Sequence, residues 1–155
     1  GVTPNMMKTM AQSPAVLEAY LNFSGALSNG SLNAKIREQI ALAVGEANSC
    51  GYCVSAHTTI GKMVGLSEDD INYSRQSSSG NTKTDAALKF ARAIVLERGE
   101  VSDTDVQQVR NAGFTDGEIA EIIGSVSLNI FTNYFNHIAE TELDFPKVEA
   151  LKKSA

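Results

Sequence analysis

Cys50, Cys53 and His57 stand in one short run, SCGYCVSAH, and can exchange both electrons and protons. They include both cysteines of the chain and one of its two histidines. On a helix, residues three or four apart are neighbours, with Cβ atoms ~5–6 Å apart. The spacing predicts Cys53 beside Cys50 and His57 beside Cys53, all within a ~60° sector at ~100° per residue. A disulfide accepts Cα separations of about 4.4–6.8 Å, so the two sulfurs can join with little backbone movement. With Asn48 or Ser49 as cap, Cys50 is expected in the first helical turn. Free backbone N–H groups and the positive end of the helix dipole there favour thiolate over thiol. The thiolate is the form that attacks peroxides and disulfides, and a nearby imidazole favours it further. The helix start favours Cys50 as nucleophile, whereas the spacing of His57 favours Cys53. Glu38, on the preceding segment, reaches the pair if the chain bends near Asn48; read blandly, it is one more solvated carboxylate.

Other chemistries fit this run less well. Haem attachment needs a histidine directly after the second cysteine, where Val54 stands. Zinc could take Cys50, Cys53, His57 and a carboxylate, but a second ligand pair is missing. A thioredoxin-type site needs a βαβ setting, and no segment alternates with the two-residue period of a strand. Tyr52 is expected to pack. His137, Asn133 and Asn136 are expected to serve structure or an interface.

The elements that must position these groups read as helices throughout. Pro4 to Gln12 makes a short first helix, and Pro14 opens a second that runs to about Leu27. Asn33 is a plausible N-cap for a third helix ending near Asn48. The cysteine helix continues to about Val64, with Gly65 as its stop. Ser67-Glu68-Asp69-Asp70 resembles a capping box, as does Thr115-Asp116-Gly117-Glu118. Between them, a helix is expected over 85–98 and another after Ser102, with 75–84 as a linker. The last helix runs to about Glu140, about 36 Å long at 1.5 Å per residue. It is apolar on more than one face, which calls for cover from several sides and points to a subunit interface. The fold expected is all-α, with seven or eight helices in one domain spanning 1–155.

Composition narrows the partners. The 155 residues are 43% hydrophobic and 20% charged, with a net charge of −5. That balance suits a soluble protein and argues against a sequence-independent grip on nucleic acid, which needs a basic stripe. No apolar run approaches the ~20 residues of a membrane span. The opening GVTPNMMKTM has no apolar stretch after a basic start, so a signal peptide is not expected. Two cysteines three apart, without an export signal, read as a redox or metal site in the cytoplasm rather than a disulfide framework.

Glu38, eleven intervening residues, then Cys50-x-x-Cys53-x-x-x-His57 resembles the alkyl hydroperoxidase D-like branch of the carboxymuconolactone decarboxylase superfamily. The match extends through REQIALAVGEANSCGYCVSAH and, more weakly, to the opening Gly1, Pro4 and Asn5. The resemblance implies an all-helical fold assembled as homo-oligomers, commonly trimers or hexamers. It also implies a peroxidase or disulfide-reductase cycle with no haem, flavin or metal. By that likeness Cys53 meets the peroxide, Cys50 resolves it, and Glu38 with His57 relays protons. Tyr52 departs from the pattern, because relatives can carry a histidine between the cysteines. A phenol with pKa ~10 cannot replace imidazole as a base near neutrality. The expected function is thiol-dependent reduction of a small hydroperoxide, with an external dithiol protein as reductant and no cofactor. The alternative is a redox-responsive subunit with little turnover.

Overall fold

Proline and short polar side chains set where the helices begin. The computed structural model describes residues 3–149 and 151, so Gly1 of the opening motif lies outside them. Eight helices and no strand are found among the described residues: α1 (Asn5–Met10), α2 (Pro14–Ser28), α3 (Ala34–Ala47), α4 (Gly51–Met63), α5 (Glu68–Arg75), α6 (Thr82–Leu96), α7 (Asp103–Asn111) and α8 (Asp116–Ile138). The all-α expectation holds. The Asn33 side chain accepts the Ile36 N–H, and Ser67/Asp70, Ser102/Asp105 and Thr115/Glu118 form complete capping boxes. Each satisfies helix-start N–H groups that would otherwise lack partners. Gly65 ends α4 at φ +86°, and Gly99 follows α6 at φ +87°, backbone that other residues adopt only with strain.

Several boundaries differ from the sequence reading. The first helix is shorter at both ends, with Pro4 as its N-cap and Ala11 as its C-cap. Residues preceding a proline avoid helical backbone, and Ser13, before Pro14, is extended. α6 starts at Thr82 rather than Asp85, because Asn81 accepts the Thr84 N–H at 3.0 Å. The linker therefore shrinks, and Arg75 at its expected start closes α5, buried against Glu46 at 2.8 Å. Finally, Cys50 is the N-cap of α4 rather than a first-turn residue. Ser49 takes left-handed backbone, φ 55°, which delays the helix start by one position.

The centre of the molecule is α3, which packs on α4, α5, α6 and α8. Gln39 to Gly45 are buried without interruption. Small residues make this possible: Ala41, Ala43 and Gly45 let neighbouring helices approach from every side. A Cβ on Gly45 would stand 3.3 Å from a Val54 methyl and 3.7 Å from the Cys53 Cβ. Its absence seats the cysteine helix directly on α3. On α8, Ile119, Ile122 and Val126 are buried in the core, whereas Ile123, Phe131, Tyr134 and Ile138 remain exposed in the single chain.

Candidate active site

The turn between α3 and α4 brings the chemistry together. The Cys50 N–H bonds back to the Gly45 carbonyl at 2.8 Å, tightening the corner. α8 holds that corner from outside: Asn48 Nδ2 donates to Asn133 Oδ1 at 2.9 Å, and His137 Nε2 lies 3.0 Å from the Asn48 carbonyl. Asn133 and His137 thus have the structural role expected of them.

Cys50 and Cys53 are joined as a disulfide, with Cα atoms 5.3 Å apart. The Cys50 sulfur also accepts the Cys53 N–H at 3.4 Å, so it acts as the helix cap. His57 Nδ1 lies 2.7 Å from Glu38 Oε2, both side chains being partly exposed. The bend near Asn48 therefore brings Glu38 to the site, and the bland reading of it as a solvated carboxylate does not hold. Among the described residues no group of three or more His, Cys, Asp or Glu is placed to hold a metal ion. The Glu38–His57 pair instead satisfies itself.

A cavity of about 210 Å³ connects these groups. Cys53, His57 and Glu38 line it, together with Tyr20 and Arg37, whereas Cys50 does not. Both cysteines are buried, 1% exposed at Cys50 and 3% at Cys53. Apolar cover comes from Met6 and Met7 of α1, Leu27 of α2, Ile60 of α4 and Leu128 of α8. Burial, reinforced by the Glu38 carboxylate, raises the Tyr20 pKa.

Tyr52 does more than pack. Its hydroxyl accepts the Met6 N–H at 3.2 Å and donates to Asp144 Oδ1 at 2.8 Å, and its ring meets Phe145 edge-on. Burial is the main reason its pKa is pushed up to about 12, and hydrogen bonding to Asp144 adds to the rise. A phenol so placed stays protonated near neutrality and fastens chain rather than moving protons. Through it the segment after α8 is drawn to the cavity, where Phe145 joins the lining. Asn5 N–H to Asp144 (2.7 Å), Val148 N–H to Ser55 Oγ (3.1 Å) and Leu151 N–H to Glu46 Oε1 (2.8 Å) continue the attachment.

One wall was missed in the sequence reading, which named only Asn136 of it and expected a structural or interfacial role there. Ser125, Asn129, Thr132 and Asn136 all line the cavity and are all buried. Asn136 Nδ2 lies 3.3 Å from the Cys53 sulfur. Their spacing of four, three and four puts them on one stripe of α8. Polar residues recurring at helical period among the apolar ones of α8 were the available signal.

Known proteins share the family and the fold of this chain. A family model, the carboxymuconolactone decarboxylase family, matches residues 14–93, just over half of the chain. No curated protein matches. Among solved structures, the chain is similar to an alkylhydroperoxidase AhpD core, an uncharacterised peroxidase-related protein from Ralstonia eutropha JMP134. The TM-score is 0.85 at 26% identity, over 93% of this chain and 78% of that one. A peroxidase-related protein of uncharacterised function from Silicibacter sp. TM1040 shares the fold at TM-score 0.84 and 22% identity, over 92% and 77%. So does the debrominase Bmp8, solved in complex with 2,3,4-tribromopyrrole, at TM-score 0.83 and 18% identity, over 93% and 79%. With that family match, that fold and a cysteine pair at disulfide distance beside a Glu–His pair, the chain belongs to the carboxymuconolactone decarboxylase family, in its alkyl hydroperoxidase D-like branch.

Proposed function

We propose that the protein is a thiol-dependent peroxidase that reduces a small hydroperoxide and is recharged by an external dithiol protein. The observation that carries this reading is the cavity: it joins the Cys53 side of a closed disulfide to a Glu38–His57 hydrogen bond of 2.7 Å. In the reduced protein the Cys53 thiolate attacks the peroxide, an S–O bond forms and the O–O bond breaks. The alkoxide leaves as an alcohol, taking its proton from the Glu38–His57 pair. Cys53 is then a sulfenic acid. Cys50 attacks that sulfur, the disulfide closes and water departs. Two electrons from the dithiol restore both thiols, a step suited to a reducing compartment such as the cytoplasm.

Access supports this order of the cysteines. Cys50 caps the helix, where the dipole favours its thiolate, yet it is shut off from the cavity; Cys53 opens onto it. A nucleophile must touch its substrate, so access outweighs the helix-end effect, which is typically 0.3–1 kcal/mol.

A peroxidase assay coupled to a dithiol donor tests the reading. Cys53→Ser is expected to abolish turnover, Cys50→Ser to leave a trapped sulfenic acid, and Glu38→Gln to slow the reaction by about 10²-fold or more, as for loss of a proton-transfer group. Full activity in the double cysteine variant would refute it. A reversible disulfide with no turnover on any hydroperoxide would leave the redox-responsive subunit instead. Since a debrominase shares the fold, a halogenated pyrrole belongs in the same substrate panel.

A further inference from the structure

The Asn136 side chain, 5% exposed, has an amide whose two ends face different surroundings. Its nitrogen lies 3.3 Å from the Cys53 sulfur and 3.3 Å from the Met6 sulfur. Thioether and disulfide sulfurs can only accept here, so the NH₂ end belongs on that side. Its oxygen is buried and meets no donor among the described residues. Asn136 also lines the cavity in which Cys53 is reached. Buried amide oxygens nearly always have a partner, and one without a donor beside a reactive sulfur asks for an O–H at that place.

We propose that Asn136 is a catalytic residue in contact with the Cys53 sulfur. Its N–H donates to the Cys53 thiolate, and its Oδ1 accepts the O–H of the sulfenic acid formed there. The disulfide sulfur of this structure stands in for that thiolate. A hydrogen bond to the charged form of a thiol favours that form. When oxygen is added to the sulfur, the new hydroxyl is a donor, and the amide oxygen is the nearby acceptor with no other bond to give up. One amide thus serves two successive states of one sulfur. The second role rests on the peroxidase reading; the first does not.

The other titratable or charged groups around Cys53 are Cys50, Tyr52 and His57 at the start and along α4, Glu38 and Arg37 on α3, and Tyr20 on α2, with Asp144 behind Tyr52. The lining from α1 and α8 is uncharged. A change at Asn136 is therefore read against a constant set of charges.

The test uses the reduced protein carrying Cys50→Ser, so that Cys53 alone reports. Alkylation of Cys53 by iodoacetamide is followed across pH. Asn136→Leu is expected to move the midpoint upward and slow alkylation at neutral pH about tenfold, the size of one charge-assisted hydrogen bond. Asn136→Ala, which also removes the amide and adds no charge, is expected to move it about as far, and it carries the test if circular dichroism shows the leucine variant unfolded. Midpoints that coincide with the parent's would overturn the thiolate role, because a merely structural amide would not move them. One equivalent of hydroperoxide is then added and the sulfenic acid is captured with dimedone. A several-fold shorter-lived sulfenic acid in Asn136→Leu supports the Oδ1 role, and an equal lifetime overturns it. A parent that forms no sulfenic acid overturns the peroxidase reading and the Oδ1 role with it, while the alkylation profile still decides the N–H role.

Discussion

Tyr52 stands between the two cysteines, yet its hydroxyl points to α1 and to the segment after α8 rather than to the sulfurs. One phenol joins three parts of the chain: it accepts the Met6 N–H, donates to Asp144 and meets the Phe145 ring. Tyr52→Phe keeps the ring and removes both hydrogen bonds. It is expected to lower unfolding stability by about 1 kcal/mol in urea titration and to speed amide exchange in 141–149. The pH dependence follows from the raised pKa. The folded state holds the phenol proton more tightly than the unfolded chain does. Its contribution is complete below the ordinary value of 10.0 and is lost as pH rises through about 12. Tyr52→Phe should therefore flatten the alkaline limb of the stability profile; an unchanged limb would show that the hydroxyl holds nothing in place.

At the scale of elements, α8 works as a clamp. Near its start, Glu121 reaches the loop between α2 and α3 and accepts the N–H groups of Ser31 and Leu32, each at 2.8 Å. A side chain at Gly30 would meet that carboxylate at 2.6–2.9 Å and push it off its present position. Farther along, Asn133 and His137 hold the α3–α4 corner, and Asn136 touches the Cys53 sulfur. The same helix thus fixes both ends of α3, which carries Glu38. The backbone hydrogen bonds from Ser31 and Leu32 lower the Glu121 pKa. Asp70 and Glu118, in capping boxes, are lowered by their partners Ser67 and Thr115. A lowered folded pKa means that the unfolded chain binds protons more readily. Stability from these groups is full above the ordinary values of 3.8 and 4.5, and is lost as pH falls through the lower folded ones. Glu121→Gln should make the acid limb shallower, measured as the denaturation midpoint between neutral pH and about pH 3. A limb of unchanged slope would mean that the clamp carries no pH-dependent stability.

For the whole molecule, the unexplained feature is apolar surface. α2 has no fully buried residue, and Leu21 and Phe23 on it are exposed along with Ile123, Phe131, Tyr134 and Ile138 of α8. Gly124 packs against Leu27 and Phe23, which sets α2 beside α8. Large exposed apolar side chains gathered on packed neighbours mark association surfaces. We propose a homo-oligomer, a trimer or hexamer, assembled through these helices. Light scattering of the wild-type chain should then give three or six times the 16.5 kDa of one chain. Ile138→Glu with Tyr134→Glu should reduce it to the monomer while leaving helical content intact. A wild-type monomer at micromolar concentration would refute the proposal. Among the described residues no helix is long and apolar enough to cross a membrane.

Much of the fold was legible because its signals are local. Asn33, Ser67, Ser102 and Thr115 cap helices through atoms within three residues, and Gly65 and Gly99 end them through their own backbone. The approach of Cys50 to Cys53 is local too, being one helical turn. The sequence by itself therefore determined the helical class, most helix boundaries and the pairing of the two cysteines. Tertiary structure decided the rest. Glu38 and His57 meet only because the corner at Ser49 folds α4 back along α3. Cys53 rather than Cys50 faces the cavity because its walls come from helices far apart in the chain. Asn136 and Tyr52 take their partners 83 and 92 residues away. Periodicity records which residues share a face of a helix; what that face meets depends on how the helices pack, and no short window of sequence contains that.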